Sequence, residues 1–493
     1  MYRFLKENTI LITLLLNLLT GCSTNNVPDS AIPAGKAVIY PDYTDIVIPV
    51  NIAPLNFSIL ESSDGYLVHL HSEEGTGFFI RSGDNRINIP AKKWKSLLQH
   101  CVNRQLMIDI YFRKNRQWQR CESIHNEISS DSVDSHLVYR LIEPGFETWN
   151  EMGIYQRDLE SFHESPVILN EMSDGNCLNC HSFAAYSNKY MLFHSRAGNA
   201  GTVIVRDGGI VKVNTKTDST LSAGVYPAWH PGGRYVAFSV NHIVQSFHTI
   251  PNKRIEVIDT LSDLILYDAE KNCVISNPDL ASPGRFETFP SWSPDGRYLY
   301  FCSAAFRDYR DYKQIRYNIH RISFDAATEK FGKIDTVIPA DQLGYSTSFP
   351  RVSPDGKYLL FCKTGYGNFT IWHNDTDLVL LDLTSGQMVT PDINSNRAES
   401  YHSWSSNGRW IVFSSRREDG LFTRLYFSYF DKNGRFHKSF LLPQKVPGYN
   451  ADLLKSFNIP EFVTSKIQPG PRKLARIIRS EPLKSAFKNR KKW

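Results

Sequence analysis

A Ser-Pro-Asp-Gly turn set between two aromatic-rich strands constrains this chain more than any other feature. Its fullest copy is residues 289–301, FPSWSPDGRYLYF. Three relatives stand at 226–238 (YPAWHPGGRYVAF), 349–361 (FPRVSPDGKYLLF) and 401–413 (YHSWSSNGRWIVF). Proline fixes φ on entry to the turn and glycine accepts positive φ on leaving it. The strand before the turn buries tryptophan, and the strand after it alternates aromatic and aliphatic side chains. The copies start 63, 60 and 52 residues apart, a spacing that suits four-stranded units joined by variable loops. A second mark follows, SDLILYD at 262–268 and TDLVLLD at 376–382, with looser forms ending at Asp325 and Asp431; it reads as a third strand closing on a turn. One such unit cannot bury both its faces, so the units must stack, and a ring hides most of their edges.

Residues 182–193 read as a worn fifth copy, matching 290–301 without a gap. That match places His181 where the other copies carry Tyr226, Phe289, Phe349 and Tyr401. The expected fold is all-β: a β-propeller of five to six, or seven, blades over residues 182–445. One blade would be built partly from the preceding connector and the C-terminal residues. The copies resemble the WD-like propeller repeats of the TolB family over roughly half the chain. The resemblance implies the fold and leaves function open, since propellers serve as scaffolds, receptors and enzymes.

Directly before the worn copy stands Cys177-Leu178-Asn179-Cys180-His181, the C-x-x-C-H pattern of c-type haem attachment. Two thiols three positions apart can add to the two vinyl groups of one porphyrin, and the next imidazole can ligate its iron. The segment NCLNCHSF is similar to the attachment segments of c-type cytochromes. The resemblance implies one covalent haem c bound by Cys177, Cys180 and His181 over the channel mouth. His402, His194, His163 and Met172 are the candidates for the distal ligand. The bland alternatives are a surface His163, a core Met172 and a His194 buried between blades. Equivalent loops bring Glu287, Thr288, Ser348, Glu399 and Ser400 to the same mouth. A thioredoxin-type dithiol would need a βαβ context that is absent, and a structural zinc would need a further Cys or His pair at short spacing.

Residues 1–22 resemble a lipoprotein signal: Arg3 and Lys6, an apolar run over 10–19, then Leu19-Thr20-Gly21-Cys22, with Cys22 as the lipidated residue. With Ser23 next, the resemblance implies an outer-membrane lipoprotein, taken here to face the periplasm, on a tether over 23–39. Residues 40–141 alternate short strand-like runs with turns and suggest a small β-sandwich of immunoglobulin type. Cys101 and Cys121 within it are open to a disulfide or to none. Residues 142–181 form an aromatic connector with the haem motif, and 446–493 a basic tail. The formal net charge of +6 belongs to that tail, which carries ten Lys/Arg and one acid from Val463 onward. Basicity confined to a tail argues against a nucleic-acid partner.

Two functions follow as expectations. The first is an envelope cytochrome that transfers electrons or senses a small ligand, with a redox or envelope protein partner at the propeller top. The second is a non-enzymatic propeller scaffold for protein–protein interaction. A hydrolase is disfavoured: no G-x-S-x-G occurs, and Glu287 with Glu399 is the one acid pair worth naming.

Overall fold

Each repeated hairpin becomes the two inner strands of one antiparallel sheet in the computed structural model, which describes residues 28, 30–143, 150–250 and 254–488. Cys22 with its lipobox, and Trp149 of the connector, lie outside the described residues. Four sheets carry the plain copies. Sheet III holds Val225–Trp229, Tyr235–Phe247, Ile255–Asp268 and Cys273–Ile275; sheet IV holds Arg285–Trp292, Tyr298–Ala305, Asn318–Asp325 and Lys330–Ile338. Sheet V is Ser346–Val352, Tyr358–Thr364, Asp377–Asp382 and Met388–Val389; sheet VI is Glu399–Trp404, Trp410–Ser415, Arg424–Tyr429 and Phe440–Leu441. The worn copy opens sheet II: Leu178–Phe183, Tyr190–Ser195, Gly201–Arg206 and Gly209–Asn214.

The repeated residues have identifiable work in these sheets. Ser293 Oγ accepts from the Tyr298 N–H at 2.9 Å and donates to Asp295, locking the turn, and Gly296 leaves it at φ +71°. The Trp292 indole donates to the Ala228 carbonyl of sheet III at 3.1 Å, and Trp404 does the same to Arg351 of sheet V at 3.2 Å. The motif tryptophan therefore ties each of these sheets to the one before it. The aspartates of the second mark accept the N–H groups of the next turn: Asp382 from Thr384 and Ser385, Asp325 from Ala327 and Thr328.

Sheet I joins distant parts of the chain. Glu164–Leu169, Gly153–Asp158 and His136–Ile142 come from the connector and the segment before it, and Ser456–Val463 comes from the basic C-terminal part. The innermost strands of sheets I to VI touch in order, and Ser456–Val463 touches both Leu178–Phe183 and Glu399–Trp404, so the contacts close into a ring. The architecture is all-β and propeller-like. Beyond sheet I the C-terminal part folds as a helix, Pro471–Ile478, whose Leu474, Ala475 and Ile478 are buried against sheets I and II. Leu483–Lys484 and Ala486–Lys488 then add parallel edge strands to sheets II and III.

Residues before sheet I form a seven-stranded mixed sheet and a three-stranded sheet with one helix, Ala91–His100. Two of its pairings are parallel, Ile32–Pro33 with Gln117–Arg120 and Ile124–Ser129 with Val47–Pro49. Its core is continuous with sheet VI through Trp410, Phe427 and Phe440, and the Trp410 indole donates to the Asp131 carbonyl at 2.9 Å. Cys101 and Cys121 are buried free thiols, each pushed up to about 11 by burial. Among the described residues, no helix is long and apolar enough to cross a membrane.

Candidate functional site

Six residues with left-handed backbone converge on the centre of the ring: Cys180, Tyr226, Phe289, Phe349, Tyr401 and Ile459, with φ between 43° and 53°. Each occupies the same kink in an innermost strand. Proline follows it in four sheets (Pro227, Pro290, Pro350, Pro460) and histidine in two (His181, His402). These pairs line a central cavity of about 60 Å³, together with Arg351 and Glu461. Tyr226, Phe289, Phe349 and Tyr401 meet ring to ring at 4.6, 4.4 and 4.8 Å and plug most of the axis. Arg351 and Glu461 pair at 2.6 Å beside them.

The kink corrects the alignment of the worn copy. Cys180, not His181, is the equivalent of Phe289, because the turn at 184–189 holds one more residue than the turn at 293–297. His181 therefore takes the proline position. Its imidazole is 2% exposed, and neither ring nitrogen has a hydrogen bond of good geometry, although the Val138 and Ile459 carbonyls lie close enough to favour its charged form. Burial, helped by Arg140, pulls it down to about 3, so it is neutral at physiological pH.

This geometry overturns the haem. Covalent attachment needs two thiols and one imidazole facing a single flat cavity. Cys180 is 6% exposed, and His181 faces the 60 Å³ axial cavity, far below the ~300 Å³ that even a drug-sized ligand occupies. Cys177 shares a second cavity with Cys180, but His181 does not line it, so the imidazole cannot reach a group held by both thiols there. Burial pushes the Cys177 thiol up, away from the reactive thiolate. The cytochrome, haem c and electron-transfer expectations fall together. So does the assignment to a TolB-family haem lipoprotein.

The distal-ligand candidates do not gather around His181. His163 is exposed, and Met172 packs into the apolar cluster between sheets I and II. His194 is buried on the second strand of sheet II with Nδ1 2.9 Å from Thr202 Oγ1. His402 shares the axial cavity, but its Nε2 is committed to the Leu360 carbonyl at 2.9 Å. Glu287, Thr288, Ser348, Glu399 and Ser400 are buried just ahead of the kinks and line neither of these two cavities. Among the described residues, the metal-ligating type of cluster is elsewhere: His69 and His71, two apart on the strand Tyr66–Ser72, with Asp109. The H-x-H spacing on a strand was the available signal, since alternate residues share a face. His71 Nε2 lies 3.1 Å from Asp109, whose carboxylate also accepts from Ser123 and, at 3.5 Å, from Arg120. Protein groups thus already satisfy that carboxylate.

A substitution separates the two axial histidines. His181→Pro copies four sister positions and removes a buried imidazole without a good partner; His402→Pro removes a hydrogen bond. The unfolded chain takes up a proton on His181 near 6.5 and the folded chain only near 3, so its contribution to stability is lost as pH falls below 6.5, at about 1.4 kcal/mol per unit. Urea unfolding is expected to show His181→Pro gaining on the wild type by about 2 kcal/mol between pH 7.5 and 5.0. His402→Pro is expected to be less stable than the wild type at pH 7.5.

The second cavity, about 490 Å³, lies next to the axis. Its wall takes the residues just before the kinks of sheets I, II and III, and also Ile243, Gln245, Ile255 and Val257 of the long hairpin of sheet III. The strands of that hairpin, Tyr235–Phe247 and Ile255–Asp268, run to 13 and 14 residues, against 6 for their counterparts Tyr190–Ser195 and Gly201–Arg206 in sheet II.

The sequence matches no protein family and no curated protein. Among solved structures the chain bears a distant likeness to propeller proteins. A β-propeller domain of Cps50 (Swd1) from Myceliophteria thermophila aligns at 11% identity and TM-score 0.34, over 65% of this chain and 91% of that one. A structure described as a nidogen/laminin complex aligns at 10% identity and TM-score 0.36, over 67% and 99%. One of two prolyl endopeptidases aligns at 15% and TM-score 0.35, over 62% of this chain and 42% of its own.

Proposed function

We propose that the chain is a non-enzymatic interaction scaffold of the cell envelope: a six-bladed propeller carrying a β-sandwich that packs on its last blade. Sheet I is the closing blade in this reading, with Ser456–Val463 as the strand that completes the ring. Envelope placement and a lipid anchor rest on residues 1–22 alone, through Cys22.

The long hairpin of sheet III carries the scaffold reading. It outgrows its neighbours and presents Ile243, Phe247, Ile250 and Leu261 at 40–56% exposure around its outer end. Apolar side chains clustered on a projecting hairpin mark a docking element more often than a bare surface. A partner protein would meet that outer end by apolar contact, its polar rim supplied by His242 and Gln245.

A photo-crosslinking residue at position 261, introduced in the native host, is expected to give one discrete protein adduct, and the same residue at Arg297 none. Leu261→Asp with Phe247→Asp is expected to abolish that adduct while shifting unfolding free energy by less than about 1 kcal/mol. Equal labelling from both positions would end the docking assignment.

A further inference from the structure

The 490 Å³ cavity has the lining of a ligand site that no protein group fills. Arg140, Arg196 and Arg416 face it, against a single acid, Glu143. None of the three arginines has a carboxylate within ion-pair distance among the described residues. The other buried cations, Arg157, Lys212 and Arg424, lack one too, but neutral oxygens take two of their N–H groups each. Of the three on the wall, Arg416 is the extreme case at 3% exposure. Its Nε donates to the Ile371 carbonyl at 2.8 Å and its Nη1 to Leu421, while the guanidinium stacks 3.3 Å from the centre of the Trp372 ring. Its Nη2 has no acceptor among the described residues. Burial pulls Arg416 down to about 9, with Asp419 only partly opposing the fall. Arg140 spends Nη1 on the Leu178 carbonyl and Nη2 on Asn458, and its Nε is buried without a partner.

Two further polar atoms on the same wall are orphaned, Asn179 Oδ1 and His194 Nε2, on residues 8% and 4% exposed. A buried polar atom needs a partner, and these two lie on the wall of a void large enough to admit a ligand that could supply one. One part of the remaining wall is apolar and partly flat, with Trp372, Tyr226, Tyr401, Ile371, Ile255 and Val257; Ser195, Thr202, Asn241, Gln245 and Thr423 make the rest polar but uncharged. A bare inorganic ion would satisfy the arginines but leave that apolar surface facing water.

We infer that this cavity binds an amphipathic organic carboxylate non-covalently, its anionic head on Arg140, Arg196 and Arg416 and its apolar body against Trp372 and the hairpin of sheet III. The size falls within the ~300–1,000 Å³ of small-molecule sites. Arg196 is exposed at the rim and would meet the head first; Arg416, dry and stacked, would gain most from it, since a charge-assisted bond strengthens where water is excluded. The cavity shares Ile243 and Gln245 with the docking hairpin, but the residues that test docking, Phe247 and Leu261, are not on its wall, so either assignment can fail alone.

The test is calorimetric titration of the folded protein with decanoate, decanamide and inorganic phosphate. Decanoate is expected to bind one site at least about tenfold more tightly than either control. Arg196→Glu, a change at an exposed position, is expected to weaken decanoate on the order of tenfold. Arg297→Glu, an exposed charge reversal on another turn, should leave it unchanged. Arg140→Met, checked for an unaltered circular dichroism spectrum, should weaken it as well. No binding of decanoate up to about 1 mM, equal binding of decanamide or phosphate, or an Arg196→Glu variant with undiminished affinity each overturns the assignment.

Discussion

A chain ending at Gly448 is expected to lose its cooperative fold entirely, although the part removed reads from sequence only as a basic tail and an unlocated share of one blade. Ser456–Val463 pairs along the whole of His136–Ile142, from His136↔Val463 to Ile142↔Ser456, and touches the innermost strands on both sides. Its Phe457, Phe462 and Val463 are at most 1% exposed. Burying side chains of that size contributes about 1.5–3 kcal/mol each, so three of them approach the ~5–15 kcal/mol that holds a typical domain together. The loss would not stop there. Arg351 would lose its Glu461 partner, and Arg424, 1% exposed, would lose the Leu453 and Lys455 carbonyls to which it donates at 2.7 Å. A chain ending at Ser480 is the control, because among the described residues the elements it sheds are the two short edge strands, and it should cost less than about 2 kcal/mol. Circular dichroism melts of both, and of the shorter chain with the 449–480 peptide added, decide the matter. A cooperative melt from the shorter chain alone within about 1 kcal/mol of the full one would remove the closing role of that strand.

Sequence assigns part of one blade to the C-terminal residues without locating this strand, for a physical reason. Asn458-Ile459-Pro460 looks like a break, because proline is excluded from central strands. Here the residue before the proline is left-handed, and the kink carries the proline past the ladder. The same apolar–proline pair stands at Tyr226-Pro227, Phe289-Pro290 and Phe349-Pro350, but there it is embedded in the longer turn motif that Ser456–Val463 lacks. The long repeats were readable because turn chemistry, tryptophan and alternation agree over thirteen residues. The C-x-x-C-H pattern misleads for the opposite reason. Five residues specify a chemistry only if their backbone presents them together, and the kink at Cys180 sends His181 to the axis and leaves Cys177 on another cavity. The N-terminal unit showed its strands but not their order. Pairings such as Ile32 with Gln119 span most of that unit, and no local pattern encodes them. Nor could sequence bring Arg140, Arg196 and Arg416 to one wall.

The two glutamates paired by sequence as rim residues are expected to behave as opposites. Glu399 is buried but fully occupied: Ser395 and Ser415 donate to it at 2.7 and 2.8 Å, and Arg417 at 3.2 Å. Glu287 is 1% exposed with Oε2 unpartnered, and the Arg285 guanidinium comes no nearer than 3.9 Å because it is engaged by Ser303 and His320. Burial, reinforced by repulsion from Asp263, pushes Glu287 up to about 8. The folded chain thus keeps this proton up to about 8 while the unfolded chain releases it near 4.5. The stability it contributes is complete below 4.5 and is lost as pH rises through 8, at about 1.4 kcal/mol per unit and roughly 5 kcal/mol over the window. Glu287→Gln keeps the shape and cannot ionise. Urea unfolding at pH 5 and pH 8.5 is expected to show the variant near the wild type at the lower pH and about 4–5 kcal/mol more stable at the higher. The buried histidines titrate identically in both proteins and cancel in the difference. Glu399→Gln, which weakens an ion pair and turns one acceptor into a donor facing donors, is expected to be less stable than the wild type at both pH values, by about 1–3 kcal/mol. A Glu287→Gln advantage that does not grow with pH would mean that the carboxyl is already ionised in the folded chain, with water or Arg285 reaching it.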